Sequence, residues 1–165
     1  MGPSPDHAQR FLRSIGCAPI NNVVDATNYV LHELGQPLHA FDADTIQGSL
    51  NVRFASKNEK ITTLDGEKRE LNEKDLVIAD SNEAMCIAGV FGSQKHGVSN
   101  GTKRILLESA FFNPVSIRKS AKRHGLSTDA SFRFEREVDP NLIQVAGERA
   151  AELICEWSGG HVVGA

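Results

Sequence analysis

The stretch VDATNYVLHELGQPLHAFD, residues 24–42, sets the arrangement of the chain around it. Its apolar residues recur at spacings of one, three and four, which predicts an amphipathic helix. Asn21 or Asn22 is expected to cap its start, because a short side-chain oxygen accepts from the free amides of the first turn. Gly35 and Pro37 are expected to end it, since glycine adopts the left-handed conformation readily and proline cannot continue a helix.

Three polar residues of this stretch form a candidate site. Thr27 and Asn28 lie inside the predicted helix, and His39 follows on what we expect to be a short loop that returns near them. The spacing leaves two interpretations open. The three residues line a polar pocket, or they are a packing threonine, a solvated amide and a helix-end histidine.

The composition limits the class of protein. A chain of 165 residues, 40% hydrophobic and 24% charged, is typical of one globular domain with its own core. No apolar run approaches the roughly 18 residues of a membrane span, and no secretory signal follows the first residue. The net charge of −3 provides no basic field for nucleic acid, so most phosphate contacts would have to come from elsewhere.

The cysteines and histidines indicate neither a disulfide framework nor a metal. Cys17, Cys86 and Cys155 are odd in number and far apart, with no CxxC pair, which predicts reduced thiols in a cytoplasmic protein. The six histidines are scattered singly, so no metal site is expected. The opening residues 1–3 are typical of a cloning remnant, and we interpret the chain as a fragment of something larger.

Local patterns predict an α+β fold, with a β-rich centre and helices at both ends, in a single domain. Besides the central helix, helices are predicted at about 6–15, 113–123 and 139–157. Strands are predicted at 50–55, 60–64, 67–71, 75–79, 84–90 and 104–110. Asp65-Gly66 between two of them is the strongest hairpin signal in the chain.

Glu108 interrupts the apolar run of residues 105–112. A strand that is apolar on both sides is expected to be buried, and a buried carboxylate is costly unless it is paired or hydrogen-bonded. The alternative is that Glu108 lies on the solvated face of an edge strand, and the pattern alone does not decide.

Two further segments carry candidate residues. Gly89 and Gly92 end a strand, where glycine marks either a bulge or turn or the close approach of a ligand. Thr128 and Ala130 alternate, so both would point into one cavity if their segment is extended. That segment is locally basic, through Arg118, Lys119, Lys122, Arg123, Arg133 and Arg136, with Phe132 and Phe134 interleaved. It suits a phosphate backbone, or else is a charged helix face with core phenylalanines.

Long motifs follow one another in a fixed order along the chain. They are PINNVVDATNYVLHELGQPLHAFD at 19–42, AGVFGSQKHGVSNGT at 88–102, ILLESAFFNPVSIRKSAKRHGLSTDASFRFEREVDP at 105–140, and the closing helix. Together they resemble the editing region of the β subunit of bacterial phenylalanyl-tRNA synthetase. The resemblance implies an α+β domain with layered sheets at 19–160, preceded by a leading segment at 1–18 and followed by a tail at 161–165.

The resemblance also implies an activity, which is hydrolysis of tyrosine wrongly attached to the tRNA for phenylalanine. Aminoacylation belongs to the family's α subunit, so ATP and magnesium are expected only for the complete synthetase, and no cofactor or metal for this domain. The expected partners are the tRNA(Phe) 3′ end carrying tyrosine, the α subunit and the remaining β-subunit domains, in a cytoplasmic heterotetramer away from membranes. The alternative is a non-catalytic scaffold domain that contacts tRNA or another subunit of the same synthetase.

The family's pocket positions carry over by motif to eight residues. These are His39 (QPMHAFD), Thr27 and Asn28 (VTNY), Gly89 and Gly92 (GG(I/V)FG), Glu108 (VLLE), and Thr128 and Ala130 (THTDAS). The chain departs from the family pattern at Ala26, Leu38 and Ala18, the last standing where some members have an arginine. A contact made by that arginine is therefore expected to be absent or replaced.

The resemblance implies a role for seven of these eight positions. Glu108 recognises the tyrosyl hydroxyl. The apolar phenylalanine pocket of the aminoacylation site discriminates poorly against an added hydroxyl, whereas a second, polar site distinguishes tyrosine from phenylalanine more strongly. An ionised Glu108 left unpaired by phenylalanine would cost about 1–3 kcal/mol. The three small residues, Gly89, Gly92 and Ala130, keep the ring slot open. Thr27, Asn28 and His39 surround the ester and the terminal adenosine. His39 either orients or deprotonates a water or holds the 3′ end.

Overall fold

The computed structural model describes residues 1–164, which fold into helices and antiparallel sheets. The helices are α1 (Asp6–Ser14), α2 (Asn22–Leu34), α3 (Pro114–His124), α4 (Asp129–Phe134) and α5 (Leu142–Ser158). The strands are β1 (Leu38–Asp42), β2 (Asn51–Phe54), β3 (Lys60–Thr62), β4 (Lys68–Glu70), β5 (Leu76–Ala79), β6 (Ala84–Ile87), β7 (Phe91–Gly92) and β8 (Ile105–Ser109). The predicted α+β class, with sheet cores and flanking helices, is confirmed. None of the helices in residues 1–164 is long and apolar enough to cross a bilayer.

The chain divides into two compact units, each made of separate stretches of sequence. The first unit holds Met1–Asp42, Val98–Ala110 and the segment from Asp139 onward. The second holds Ala43–Gly97 and Phe111–Val138. The predicted boundaries at 18/19 and 160/161 stay a prediction.

Helix α2 begins and ends where the sequence predicts. The Asn21 side chain accepts from the backbone N–H groups of Val23 and Val24, at 3.1 and 2.9 Å. Gly35 ends the helix at φ 77°, and its N–H donates to Leu31 O at 2.9 Å. These caps satisfy polar groups that a helix leaves unpaired at its ends.

The core of the first unit lies between α2, α5 and one face of a two-stranded sheet. Strands β1 and β8 pair antiparallel over five residues, from Leu38 opposite Ser109 to Asp42 opposite Ile105. The core consists of small and branched apolar residues, namely Val23, Ala26, Val30, Ala40, Ala146, Ala150, Leu153 and Ile154. Leu38, Ile105 and Leu107 pack against it. The hydroxyl of Ser109 donates to Ile143 O at 2.6 Å, which ties β8 to the start of α5.

His39 lies on strand β1 and not on a loop, so this part of the prediction is wrong. The turn that follows α2 is short, and the chain becomes extended directly after Pro37. Residues 38–42 pair along their whole length with β8. A partner strand so distant in the sequence leaves no local signal.

The second unit is built on a four-stranded antiparallel sheet in the order β2-β5-β6-β7 and a separate hairpin, β3–β4. The predicted hairpin at Asp65-Gly66 is confirmed. Gly66 turns at φ 82°, and its N–H donates to Thr63 O at 2.8 Å. Strand β6 is buried at all four residues, so it forms the centre of this unit.

A buried carboxylate fixes α3 within the second unit. Asp75 is fully buried and accepts from Ser120 Oγ at 2.7 Å, from His124 Nε2 at 2.8 Å and from Arg123. Burial opposes its ionisation, but hydrogen bonds from Asn72 and Ser120 and the neighbouring His124 hold the pKa of Asp75 below its ordinary value. The last turns of α3 are thereby joined to the start of β5.

The segment that carries Thr128 and Ala130 is helical, so the extended conformation in which both side chains would point into one cavity does not occur. Thr128 is the N-cap of α4, and its hydroxyl accepts from the N–H of Ser131 at 3.0 Å. The Ser131 hydroxyl accepts in turn from the Thr128 N–H at 2.9 Å, which completes a capping box. Ala130 therefore lies in the first turn of a helix.

We predict that Gly89→Ala destabilises the protein more than Gly125→Ala. Both glycines have positive φ, 65° and 63°, so both variants carry a left-handed strain of about 1 kcal/mol. A Cβ at Gly89 would also lie within 3.0 Å of Phe112, Ile117 and Phe134, whereas nothing lies within 4 Å at Gly125. Urea unfolding should show a loss of about 2–4 kcal/mol for Gly89→Ala. Equal losses for the two variants would contradict the crowding.

Candidate functional site

In the first unit, the sheet brings His39 and Glu108 directly opposite each other. The two residues are Cα partners in the β1–β8 ladder. Side chains of directly opposed residues point to the same face of a sheet, and alternate residues share that face. His39, Phe41 and Glu108 therefore project from the face opposite to the one that carries Leu38 and Leu107 onto the helices.

The His39 imidazole is neutral at physiological pH. Burial lowers the pKa of His39 from 6.5 to about 4. The ring lies 4.5 Å from the Phe41 ring in an edge-on arrangement. Its Nε2 is buried and has no hydrogen-bond partner within residues 1–164. A buried nitrogen without a partner is uncommon, and it leaves one polar atom of His39 available to a bound molecule.

The Glu108 carboxyl is also shifted towards its neutral form. Glu108 is partly buried on β8, which lies between the buried and the solvated interpretations. Burial raises its pKa from 4.5 to about 7. Among the described residues, no backbone or side-chain group donates a hydrogen bond to this carboxyl. Its protonated form is therefore favoured towards neutral pH, whereas the expected role assumed full ionisation.

Thr27 and Asn28 lie on α2, in the same unit. Thr27 is 7% exposed, and its hydroxyl donates to Val24 O at 2.8 Å, which fixes the side chain against its own helix. Asn28 is partly buried, and its side-chain amide makes no hydrogen bond within residues 1–164. Of these two side chains, that of Asn28 therefore has hydrogen-bond donors and an acceptor without a partner within residues 1–164. Thr27 and Asn28 were predicted to be polar neighbours of His39. The structure places them on α2, the helix that precedes β1 in the chain.

The remaining predicted residues lie in the second unit. Gly89 follows β6 in a left-handed turn that is crowded by Phe112 and Phe134, so a turn and a close approach both explain the glycine. Gly92 is buried on β7, and its carbonyl accepts from Leu64 N at 3.0 Å. Thr128 Oγ1 donates to Val90 O at 2.9 Å, which ties the start of α4 to this turn.

The eight predicted residues thus fall into two groups. Thr27, Asn28, His39 and Glu108 belong to the first unit, and Gly89, Gly92, Thr128 and Ala130 to the second. Within the first group, His39 and Glu108 face one another. Within the second group, Thr128 donates a hydrogen bond to Val90 in the loop between the two glycines.

In the locally basic segment, only one of the two interleaved phenylalanines belongs to the core, and contact with a phosphate backbone stays a prediction. Phe134 is 2% exposed and belongs to the core, whereas Phe132 is 51% exposed. The Arg136 guanidinium lies 3.6 Å above the Phe132 ring. Arg123 is paired with the buried Asp75, so it is not part of a free cationic surface.

Two buried polar residues near the site were not singled out from the sequence. Asp25 is 1% exposed and accepts from Ile20 N at 2.7 Å, which fixes the chain entering α2. Gln36 is also 1% exposed and donates through Nε2 to Pro37 O and Ala110 O. The available signal was a polar residue inside an otherwise apolar stretch.

Two other features lie apart from the predicted residues. Cys17 Sγ and His32 Nε2 are 3.5 Å apart in the first unit, and both are atom types that zinc binds, whereas a structural zinc site requires four ligands. The absence of a metal stays a prediction. In the second unit, a cleft of about 320 Å³ is lined by Lys60, Lys68, Lys95 and His96 among others, and by none of the predicted site residues.

Comparison with known proteins places the chain among relatives of one kind. The family model described as "B3/4 domain" matches residues 1–159. The chain is 51% identical over 160 residues to the phenylalanine–tRNA ligase beta subunit of Bacteroides fragilis, covering 96% of this chain and 20% of that protein. It is 52% identical over 166 residues to the same subunit of Porphyromonas gingivalis, covering 99% and 20%.

A third relative gives the same picture. The beta subunit from Carboxydothermus hydrogenoformans is 51% identical over 165 residues, covering 99% of this chain and 21% of the relative. The chain therefore spans about a fifth of the length of the curated relatives it matches. These similarities confirm the family resemblance drawn from the motifs.

We predict that Glu108→Gln and His39→Gln change the pH dependence of stability in opposite directions. The raised pKa of Glu108 contributes stability below pH 4.5 that is lost as the pH rises through about 7. The lowered pKa of His39 contributes stability above pH 6.5 that is lost as the pH falls through about 4. Each shift corresponds to about 3 kcal/mol across its window.

The measurement is the free energy of unfolding in urea between pH 4 and 8. Relative to the wild type, Glu108→Gln should gain stability as the pH rises, and His39→Gln should lose it. Glu156→Gln on α5, at an exposed position, is the control and should follow the wild type. Parallel curves for all four proteins would show that burial does not shift these two groups.

Proposed function

Since the chain belongs to the B3/4 domain family, and its curated relatives are phenylalanine–tRNA ligase beta subunits, we propose that it is the proofreading domain of such a ligase. Its reaction is hydrolysis of the ester that joins tyrosine to tRNA(Phe). The observation that supports this most directly is the face of the β1–β8 sheet. It presents a carboxyl of raised pKa opposite a neutral histidine with an unpartnered nitrogen.

Such a site answers a known difficulty of phenylalanine selection. An apolar pocket cannot strongly reject an analogue that adds one hydroxyl, whereas a site that hydrogen-bonds the hydroxyl separates the two by a large factor. Glu108 is suited to this task because no group within residues 1–164 donates a hydrogen bond to its carboxyl. A tyrosyl hydroxyl supplies the missing donor, and a phenylalanyl ring does not.

The raised pKa changes how Glu108 discriminates. With phenylalanine bound, the carboxyl keeps its proton, so little charge is left unpaired. With tyrosine bound, the hydroxyl donates to the carboxylate in a charge-assisted hydrogen bond, which lowers the pKa of Glu108 and releases a proton. Preference for tyrosine therefore increases as the pH rises through about 7.

His39 acts by orientation in this proposal. Its pKa of about 4 makes it a weak base at neutral pH, so it is poorly suited to take a full proton from water. The unpartnered Nε2 instead hydrogen-bonds the attacking water or the ester. Water adds to the acyl carbon and gives up a proton, the ester bond to the ribose oxygen breaks, and that oxygen takes up a proton in exchange for the one that the water released.

The names and the greater length of the relatives support a proposal about the larger protein and its partners. We propose that the chain works as one part of a larger beta subunit, with the alpha subunit and the tRNA(Phe) 3′ end as partners in the cytoplasm. ATP and magnesium serve aminoacylation elsewhere in the complete enzyme. In this proposal, Thr27 and Asn28 of the first unit contact the ester end or the adenosine. The contribution of Gly89, Gly92, Thr128 and Ala130 of the second unit stays a prediction.

The test is hydrolysis of tyrosyl-tRNA(Phe) and phenylalanyl-tRNA(Phe) by the complete ligase, wild type against Glu108→Gln. The variant keeps the size of the side chain but cannot ionise, so selectivity for tyrosine should fall about tenfold to a hundredfold. The wild-type selectivity should rise between pH 6 and 8, and the variant should show no such rise. Glu156→Gln provides the matched control.

Three outcomes decide between the interpretations. Lost selectivity in Glu108→Gln with an intact control supports Glu108 as the reader of the hydroxyl. Unchanged selectivity rules that role out. A wild-type ligase that clears neither ester would favour the non-catalytic scaffold, which contacts tRNA or a subunit without hydrolysis.

A further inference from the structure

Gln36 lies between the end of α2 and the start of β1, and it is almost completely buried. Its Nε2 donates to Ala110 O at 2.8 Å and to Pro37 O at 3.1 Å. One side-chain amide therefore joins the residue that precedes β1 to the residue that follows β8. The other polar atom, Oε1, is buried and has no partner in the described part of the chain.

The position of this amide matches a gap in the backbone pairing. The ladder begins with Leu38 opposite Ser109, so the next residues outward are Pro37 and Ala110. Proline has no N–H and cannot donate to a neighbouring strand. No backbone hydrogen bond joins Pro37 to Ala110 within residues 1–164. Two carbonyls at this end of the ladder need donors, and Gln36 supplies both.

We infer that Gln36 is a positioning residue that closes the β1–β8 ladder and keeps His39 opposite Glu108. The functional part of this inference rests on the proposed editing activity. The structural part, that Gln36 holds the two strands together at this end, does not.

The register of β1 against β8 depends on few contacts, because the ladder is short. Only five residue pairs hold β1 to β8, and β1 has no other strand neighbour in the described residues. A shift by one residue would turn His39 to the face that packs on the helices. A shift by two would keep its face but move it away from Glu108. The His39–Glu108 pair lies one residue inward from the end that Gln36 closes.

The choice of residue type supports the donor role. A carboxylate at this position would offer no donor to two carbonyls, and a methionine would fill the space without hydrogen bonds. The partnerless Oε1 is the unfavourable half of the amide. Glutamine at a buried position is thus explained by its two N–H groups and not by its oxygen.

The experiment compares Gln36→Met and Gln36→Asn with the wild type in the complete ligase. Methionine keeps the volume without donors, and asparagine keeps the amide on a shorter side chain that does not span both carbonyls. Gln94→Met, at an exposed position in the second unit, is the control. If the methionine variant fails to fold, the asparagine variant serves alone.

Two readouts separate the parts of the inference. The first is hydrogen exchange of the β8 amides by mass spectrometry, which we expect to become at least tenfold faster in both Gln36 variants. The second is the ratio of tyrosyl-tRNA to phenylalanyl-tRNA hydrolysis, with kcat and KM determined separately. We expect kcat for the tyrosyl ester and the selectivity ratio to fall about tenfold, while aminoacylation stays unchanged.

Each contrary result has one meaning. Unchanged exchange in β8 would show that Gln36 does not hold the ladder. Faster exchange with unchanged kcat and selectivity would make Gln36 a purely structural residue and overturn its positioning role. A wild-type ligase without hydrolysis of either ester would remove the proposed function, whereas the exchange rates would still decide whether Gln36 closes the ladder.

Discussion

The pairing of β1 with β8 is the interaction on which the candidate site depends. Its inner face is fixed by the apolar core of α2 and α5, so its outer face has no freedom to rotate away. The outer face carries an imidazole and a carboxyl side by side, held there by backbone hydrogen bonds and not by contact with each other. The helices thus build the site indirectly, by determining which residues of the two strands they leave uncovered.

Burial shifts the pKa values of Glu108 and His39 on this face in opposite directions. It raises the pKa of Glu108 and lowers that of His39, so both groups are favoured in their uncharged forms. Because burial favours the uncharged forms of His39 and Glu108, the protonation state of each group responds to a single new hydrogen bond.

Much of the local structure could be predicted because its causes are local. The cap at Asn21, the stop at Gly35 and the hairpin at Asp65-Gly66 each depend on residues within a few positions. The strand that carries His39 was missed because its partner lies far along the chain. The helix at Thr128 was not predicted, although a capping box of Thr128 and Ser131 starts it within four residues. The roles of Gln36 and Asp75 depend on distant carbonyls and side chains that sequence does not bring together.

The division into two units has a consequence for synthesis of the chain on the ribosome. The chain passes between the units after residues 42, 97, 110 and 138, so no single cut separates them. The second unit has all its residues once Val138 has been made. The first unit must wait for α5, which supplies half of the core against α2 and β1. The sheet that bears the candidate site therefore has only the apolar face of α2 to pack against until α5 has been made.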